Sequence, residues 1–266
     1  MYQVIASDLD GTLLDGDHTA SAFTAQTLQT LQARGIPLII ATGRHYCDVR
    51  GIRAALGIRA HLITSNGARI HDPDNQLMYA RNIAPAIVRE MMQPEFSEGA
   101  SVNLYLDEEW LIGAPNERLM DMHKDSGFTY RVDDLPKHSG EGVAKVLYIA
   151  EPAHLAKIEA RLYERFGHGL YITYSLPDCL EIMAPTVSKG HALQVVLDSL
   201  QLPMAHCVAF GDGLNDLDML GTAGHPFMMA NANAKLVALL PEVPQIGLNT
   251  DAAVALKLRE LFKFDQ

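Results

Sequence analysis

Two rhythms of apolar and polar residues divide the chain. Near the N-terminus, short apolar runs alternate with segments whose apolar residues recur at helical spacing. YQVIAS (residues 2–7) reads as a buried strand that runs out onto carboxylates. The next segment, from about Ser21 to Arg34, carries Phe23, Leu28 and Leu31, and Gly35 then suits the position just past a helix. IPLIIA (residues 36–41) is a second strand by its β-branched content. Val49, Ile52 and Leu56 mark a second helix ended by Gly57, and HLIT (residues 61–64) is a third strand. Strands and helices alternating through short links predict parallel strands joined by right-handed crossovers.

The rhythm changes after Asn66-Gly67. ARIHD and LMYARN flank the turn-rich PDNQ, SVNLYL and WLIG flank Asp107-Glu108-Glu109, and LYITYS and CLEIMA flank Leu-Pro-Asp, so three hairpins are expected. VAKVLYIA (residues 143–150) reads as a strand followed by a helix that opens at Pro152 and carries Leu155, Ile158, Leu162 and Phe166. After Pro185 the first rhythm returns. Leu193, Val196, Leu197 and Leu200 stripe a helix, CVAF (207–210) is a strand, and Leu217 and Leu220 lie on the next helix. PFMMA, a helix near 233–240, a short strand at QIG and a closing helix from Ala252 complete the order. The expected fold class is α/β. Residues 1–82 and 186–266 form a doubly wound, mainly parallel Rossmann-like sheet, split by an inserted α+β unit over residues 83–185.

Composition narrows the function classes. Hydrophobic residues make up 48% of the sequence and charged ones 20%, the balance of a folded protein with a sizeable core. The apolar runs are far too short to span a bilayer, and MYQVIASD lacks the basic flank of a secretory signal. Cys47, Cys179 and Cys207 stand apart in apolar surroundings, which reads as reduced core thiols in a cytoplasmic protein. With 21 Lys plus Arg against 32 Asp plus Glu the formal charge is −11, and no dense basic run exists. A nucleic-acid or membrane partner is not expected. A small phosphate ester is compatible, because a metal ion and one or two placed cations can reverse the potential inside a cleft.

Candidate chemistry sits at strand and helix ends. In Asp8-Leu9-Asp10-Gly11-Thr12, carboxylates two residues apart on an extended backbone face one site. Their repulsion is relieved if a divalent cation sits on Asp8 while Asp10 holds a proton, a division that suits a nucleophile beside a general acid. Gly11 permits a sharp turn and Thr12 can tie the loop with its hydroxyl. Thr42-Gly43-Arg44 follows IPLIIA and offers a hydroxyl and a free N–H for phosphate, although a plain strand-to-helix turn looks the same. Ser188-Lys189-Gly190 places a lysine where it opposes a helix dipole, which a bound phosphate would justify and a solvated lysine would not require. Gly211-Asp212-Gly213-Leu214-Asn215-Asp216 brings two carboxylates and an amide to another strand end, suited to magnesium and equally to an ordinary turn. Taken together they supply a nucleophile, an acid/base, metal ligands and phosphate donors beyond the carboxyl ends of an open sheet.

DLDGT, ATGR, the SKG lysine and GDGLND, in that order, resemble the four motifs of the haloacid dehalogenase superfamily of phosphatases. The long insertion looks like the type-2 cap of its Cof-like branch, and the chain is similar to enterobacterial Cof-like enzymes acting on pyridoxal phosphate and sugar phosphates. The resemblance implies that Asp8 is the nucleophile, Asp10 the general acid/base, and Asp8, the Asp10 carbonyl and Asp212 the ligands of Mg2+. It further implies that the Leu9 N–H, Thr42, Gly43, Lys189 and Asn215 grip the phosphoryl group, with Thr12, Arg44 and Asp216 in support. A magnesium-dependent phosphatase working through an aspartyl-phosphate is therefore expected. A phosphomutase or phosphotransferase sharing the first half-reaction, and a non-catalytic phosphometabolite binder, are the alternatives. His45, His61, His71 and His191 lack paired metal-ligand spacing and read as core or surface residues, and Tyr105 and Trp110 read as packing inside the insertion. Nothing in the sequence sets the oligomeric state or names the substrate.

Overall fold

The computed structural model of the protein describes residues 2–116, 119–120 and 126–264. In chain order the first strands are β1 (Val4–Ser7), β2 (Leu38–Ala41), β3 (Ala60–Thr64), β4 (Arg69–His71) and β5 (Leu77–Ala80). There follow β6 (Ser101–Tyr105), β7 (Trp110–Ile112), β8 (Arg131–Val132), β9 (Lys145–Ile149), β10 (Tyr171–Leu176), β11 (Cys179–Met183), β12 (Cys207–Gly211) and β13 (His225–Met228). The helices used below are α1 (Ala22–Ala33), α2 (Tyr46–Ala55), α3 (Pro85–Met91), α4 (Pro94–Ser97) and α5 (Pro152–Phe166). After the insertion come α6 (Lys189–Leu200), α7 (Leu217–Thr222), α8 (Ala234–Leu239) and α9 (Ala253–Leu261).

Among the described residues the strands make two sheets, in the orders β13-β12-β1-β2-β3-β4-β5 and β10-β11-β9-β6-β7-β8. In the first, β13, β12, β1, β2 and β3 pair in parallel, and the β4–β5 hairpin extends one edge in antiparallel fashion. Alternation along the strands explains the double winding. Ile5, Leu38, Ile40, Leu62 and Phe210 face Leu28 and Leu31 of α1, Val49 of α2 and Val254 and Leu258 of α9. Their neighbours Val4, Ala6, Ile39, Ala41 and Ile63 face Leu193, Val196 and Leu197 of α6 with Met219, Leu220 and Leu236. Each fully buried Val, Leu, Ile, Met or Phe side chain among them stabilises the fold by roughly 1.5–3 kcal/mol. The helices start where their caps allow: Ser21 Oγ accepts the Thr24 N–H at 3.1 Å and Ser188 Oγ the His191 N–H at 3.1 Å.

From β1 the chain builds outward through β2 and β3 on one side, and later through β12 and β13 on the other. The reversal falls between β1 and β12, the point at which an open α/β sheet is expected to bind its ligand. One sequence expectation is corrected. QIG does not form a strand; it contributes a single bridge from Gln245 to Met228, because the chain touches the edge of β13 and then turns away.

The second sheet has helices on one face. Val146 and Tyr148 of β9 and Leu180 and Ile182 of β11 pack with Val88, Phe96, Leu155, Ile158 and Leu162 from α3, α4 and α5. The opposite face carries Tyr105, Trp110, Ile112, Leu147 and Cys179, packed against Cys47 of α2, and so looks onto the first sheet's domain. Trp110 is buried, its ring stacks on Tyr105 with centroids 5.5 Å apart, and its Nε1 donates to Asn103 Oδ1 at 2.9 Å. Both aromatics therefore pack, as the sequence suggested. Cys47, Cys179 and Cys207 are free thiols. Among the described residues no helix is long and apolar enough to cross a membrane.

Candidate active site

Because β12, β1 and β2 are parallel neighbours, their carboxyl ends deliver Asp212, Asp8 and Thr42 to one edge of the sheet. The backbone after Asp8 turns tightly over Leu9–Leu13, with Asp10 extended (φ −73°, ψ 125°) and Gly11 left-handed (φ 74°). A Cβ at Gly11 would stand 2.5 Å from Asp212 Oδ2, so glycine is needed there for its conformation and for space. Thr12 completes the junction: its hydroxyl donates to Asp212 Oδ1 at 2.7 Å. The first and fourth motifs are thus one interlocked loop pair.

Lys189 explains itself. It opens α6 with no exposed surface, and its ammonium donates to Asp8 Oδ1 at 2.6 Å and Asp216 Oδ1 at 2.7 Å. Asp216 in turn accepts the Asp212 and Gly213 N–H groups on Oδ2, at 3.0 and 2.9 Å. Burial alone would lower the Lys189 ammonium, yet Asp216 and Asp8 hold it above the usual lysine range. Burial raises the Asp8 carboxyl well above its ordinary range, Lys189 pulling the other way while Asp216 and Asp212 add to the rise. Asp212 is pushed up to about 6, chiefly by burial.

Asp10 is gripped by a residue of the second motif. Arg44 Nε donates to Asp10 Oδ2 at 2.7 Å and Nη2 to Oδ1, while His18 Nδ1 lies 3.0 Å from Oδ1. Burial would raise its carboxyl, but Arg44 and His18 hold it below the usual range. Burial and the neighbouring acids thus oppose an anion on Asp8 until a cation besides Lys189 joins it, while Arg44 favours one on Asp10. The grip on Asp10 is a fork-shaped guanidinium arriving from the second motif, which spacing within the first motif cannot reveal.

The Thr42-Gly43-Arg44 loop is held on its carbonyl side. Asn66 N–H donates to Thr42 O at 3.0 Å and Ser65 N–H to Arg44 O at 2.9 Å. The Arg44 N–H donates to Thr42 Oγ1 at 3.1 Å. Asn215 does not reach this loop directly; its Nδ2 donates to Asn66 Oδ1 at 2.9 Å. Ser65 and Asn66 adopt left-handed backbone (φ 48° and 56°), a strained conformation that clusters at working sites. Sequence reasoning missed His18, for which no local signal exists. It also missed Lys145 and Glu181, whose signal was a charge inside an otherwise apolar strand. The four histidines weighed earlier do not gather: His45 Nε2 lies 2.7 Å from Leu106 O, and His71 stacks on Tyr46.

Among the described residues, one group of acids can surround a cation: Asp8, Asp212 and Asp216, with ligand oxygens within 4.8 Å of one another. Asp216 is already committed, with one oxygen on Lys189 and the other on two N–H groups. Asp8 and Asp212 remain, hard oxygen donors whose mutual charge a divalent ion would neutralise. Magnesium fits this donor set.

The pattern of the haloacid dehalogenase-like hydrolases matches residues 5–258. The chain belongs to that family. It is 37% identical to the HMP-PP phosphatase of Cronobacter sakazakii over 96% of this chain and 94% of that one. A Thermotoga maritima protein of known structure is 27% identical and superposes with a TM-score of 0.85, covering 98% of this chain and 97% of its own. A haloacid dehalogenase-like hydrolase of Bacteroides thetaiotaomicron, at 23% identity, shares the fold with a TM-score of 0.87 over 98% and 100% of the two chains. The chain is thus a phosphatase-type hydrolase of the haloacid dehalogenase-like family.

Proposed function

We propose that the chain is a magnesium-dependent phosphatase that hydrolyses small phosphorylated metabolites through a phospho-aspartate on Asp8. The observation that carries this reading is the placement of the buried Asp8 carboxylate, 2.6 Å from the Lys189 ammonium and flanked by Asp212 and the Thr42 loop at neighbouring strand ends. A phosphate dianion repels an attacking carboxylate, so the site must first neutralise the phosphoryl oxygens. Lys189, the Thr42 hydroxyl and the Gly43 and Leu9 N–H groups do this from the protein side. Magnesium, held by the Asp8 and Asp212 carboxylates and the Asp10 carbonyl, supplies further charge neutralisation when bound.

An Asp8 oxygen forms a bond to phosphorus as the bond to the leaving oxygen breaks, and Asp10 gives that oxygen a proton. To do so Asp10 exchanges Arg44, whose guanidinium holds both carboxylate oxygens in the present arrangement, for the leaving oxygen and takes up a proton from solvent. Loss of the guanidinium removes the main cause that keeps this buried carboxyl ionised. As an anion it then takes a proton from water, which attacks phosphorus and releases Asp8 and inorganic phosphate. The family and its HMP-PP phosphatase relative support the substrate class: a small phosphate ester, with HMP-PP, pyridoxal phosphate and sugar phosphates as the compounds to compare.

Phosphate release from such a panel, with magnesium and with EDTA, tests the reading. Turnover of at least one metabolite that EDTA removes and magnesium restores is expected. No release from any ester, or full release in metal-free protein, overturns it.

A further inference from the structure

Two charged side chains lie buried in the inserted unit, and the phosphatase chemistry above leaves them unused. Among the described residues of 83–185, Lys145 and Glu181 are the fully buried charged groups, each 4% exposed. They stand on the face of the second sheet that looks onto the catalytic domain: Lys145 pairs across the ladder with Tyr105, and Glu181 with Leu147. Lys145 Nζ donates to Glu181 Oε1 at 2.9 Å and lies 4.8 Å from the Tyr105 ring centroid. A buried ion pair is a poor device for stability, since well-packed apolar residues would serve as well or better. Its contacts indicate what it does instead.

Lys145 Nζ also crosses to the other domain and donates to Gly43 O at 3.0 Å. Glu181 Oε2 accepts from Asn66 Nδ2 at 2.5 Å. Asn66 is the residue whose backbone N–H holds Thr42 O and whose side-chain oxygen takes the Asn215 amide. A Cβ on Gly43 would lie 3.1 Å from Asn66 Oδ1, so the Asn66 side chain rests directly on the loop.

Peptide planarity makes these contacts directional. In a trans peptide the C=O and the following N–H point in opposite directions. The Gly43 C=O held by Lys145 shares its plane with the Arg44 N–H, which donates to Thr42 Oγ1 and leaves the hydroxyl hydrogen free to face an anion. The Thr42 C=O held by Asn66 shares its plane with the Gly43 N–H, which donates to no protein atom among the described residues. One plane is set by Lys145 itself, the other by a residue that Glu181 clamps. A charged donor on one carbonyl also polarises the chain of bonds behind it.

We propose that Lys145 and Glu181 are positioning residues for phosphoryl transfer, through which the docked cap orients the two peptide planes that present the Thr42 hydroxyl and the Gly43 N–H to the phosphoryl group. This rests on the phosphatase reading of the site. The pair acts on the phosphoryl end of every substrate, not on its leaving group, and it makes assembly of the phosphate grip conditional on cap closure.

The test uses the full chain and the variants Lys145→Met, Glu181→Gln and Lys145→Met/Glu181→Leu. The double change replaces the pair by apolar groups and is expected to fold, and Glu181→Gln is isosteric. Two esters with unlike leaving groups, p-nitrophenyl phosphate and the best metabolite of the panel, are compared, and inorganic phosphate is the competing ligand. Loss of the outer partners that orient metal ligands lowers activity by roughly 10–100-fold, and a loss of the same order is expected for partners that orient a phosphate-binding loop. The expected result is an equal loss in kcat/KM for both esters, with unchanged ranking and a raised inhibition constant for inorganic phosphate. A loss confined to one ester with the phosphate constant unmoved would overturn the proposal and make the pair a reader of leaving groups. Folded variants with unchanged kinetics would overturn it too, leaving the pair as a seal. Failure of the underlying phosphatase reading is seen separately, as a wild-type chain that turns over neither ester.

Discussion

Lys189→Met preserves the reach of the side chain and removes its charge. Asp8, Asp212 and Asp216, clustered within 4.8 Å, would then share their site without the cation that lies 2.6 Å from Asp8 and 2.7 Å from Asp216. Removing one partner of a buried ion pair costs about 3–5 kcal/mol, a large part of the roughly 5–15 kcal/mol available to a typical domain. Adding Asp216→Asn should recover part of that loss. It deletes one like charge, while the remaining oxygen can still accept the Asp212 and Gly213 N–H groups. Coupling between such neighbours runs to roughly 0.5–3 kcal/mol. Turnover should not recover, because the donor aimed at the reacting centre is still missing, a loss of about 10²–10³ in kcat. Urea unfolding in EDTA, run on wild type, both single variants and the double variant, gives the stability cycle; phosphate release with magnesium gives the rates. A Lys189→Met chain that unfolds at the wild-type midpoint and keeps its rate would refute this account of how the site is held. So would a double variant no more stable than the single one.

Thr12→Val removes the hydroxyl that holds Asp212 Oδ1 at 2.7 Å and should raise the magnesium concentration for half-maximal activity by roughly 10–100-fold; an unchanged magnesium titration would argue against Asp212 as a ligand. Exchanging residues 83–185 for the cap of a related phosphatase should reorder the substrates while a phosphoryl-enzyme still forms on Asp8. A folded exchange that keeps the original ranking would place specificity outside that segment.

Legibility in the sequence followed from how local each feature is. Asp8, Thr42 and Asp212 could be read because each ends an apolar run, and runs of that kind in α/β order must lie side by side as parallel strands. Lys189 could be flagged because a cation in a first helical turn is locally unfavourable, although its partners are distant: Asp8 lies 181 positions away. What could not be read were pairings between chemically ordinary residues far apart. Asp10 could be read as a proton carrier, but not that Arg44, 34 positions away, would hold both its oxygens. Glu181 in CLEIMA and Lys145 in VAKVLYIA broke an apolar pattern, but their contacts to Asn66 and Gly43 span 115 and 102 positions. QIG failed for the opposite reason. Its local pattern suited a strand, and tertiary placement allowed it one bridge.

The central claim is a covalent bond between phosphorus and Asp8. Rapid acid quenching during turnover of the best ester with magnesium, followed by peptide mass mapping, should find one added phosphoryl group on the peptide that contains Asp8. Folded Asp8→Asn protein should show neither the adduct nor phosphate release. A phosphoryl group mapped to another residue, or turnover retained by Asp8→Asn, would contradict the claim.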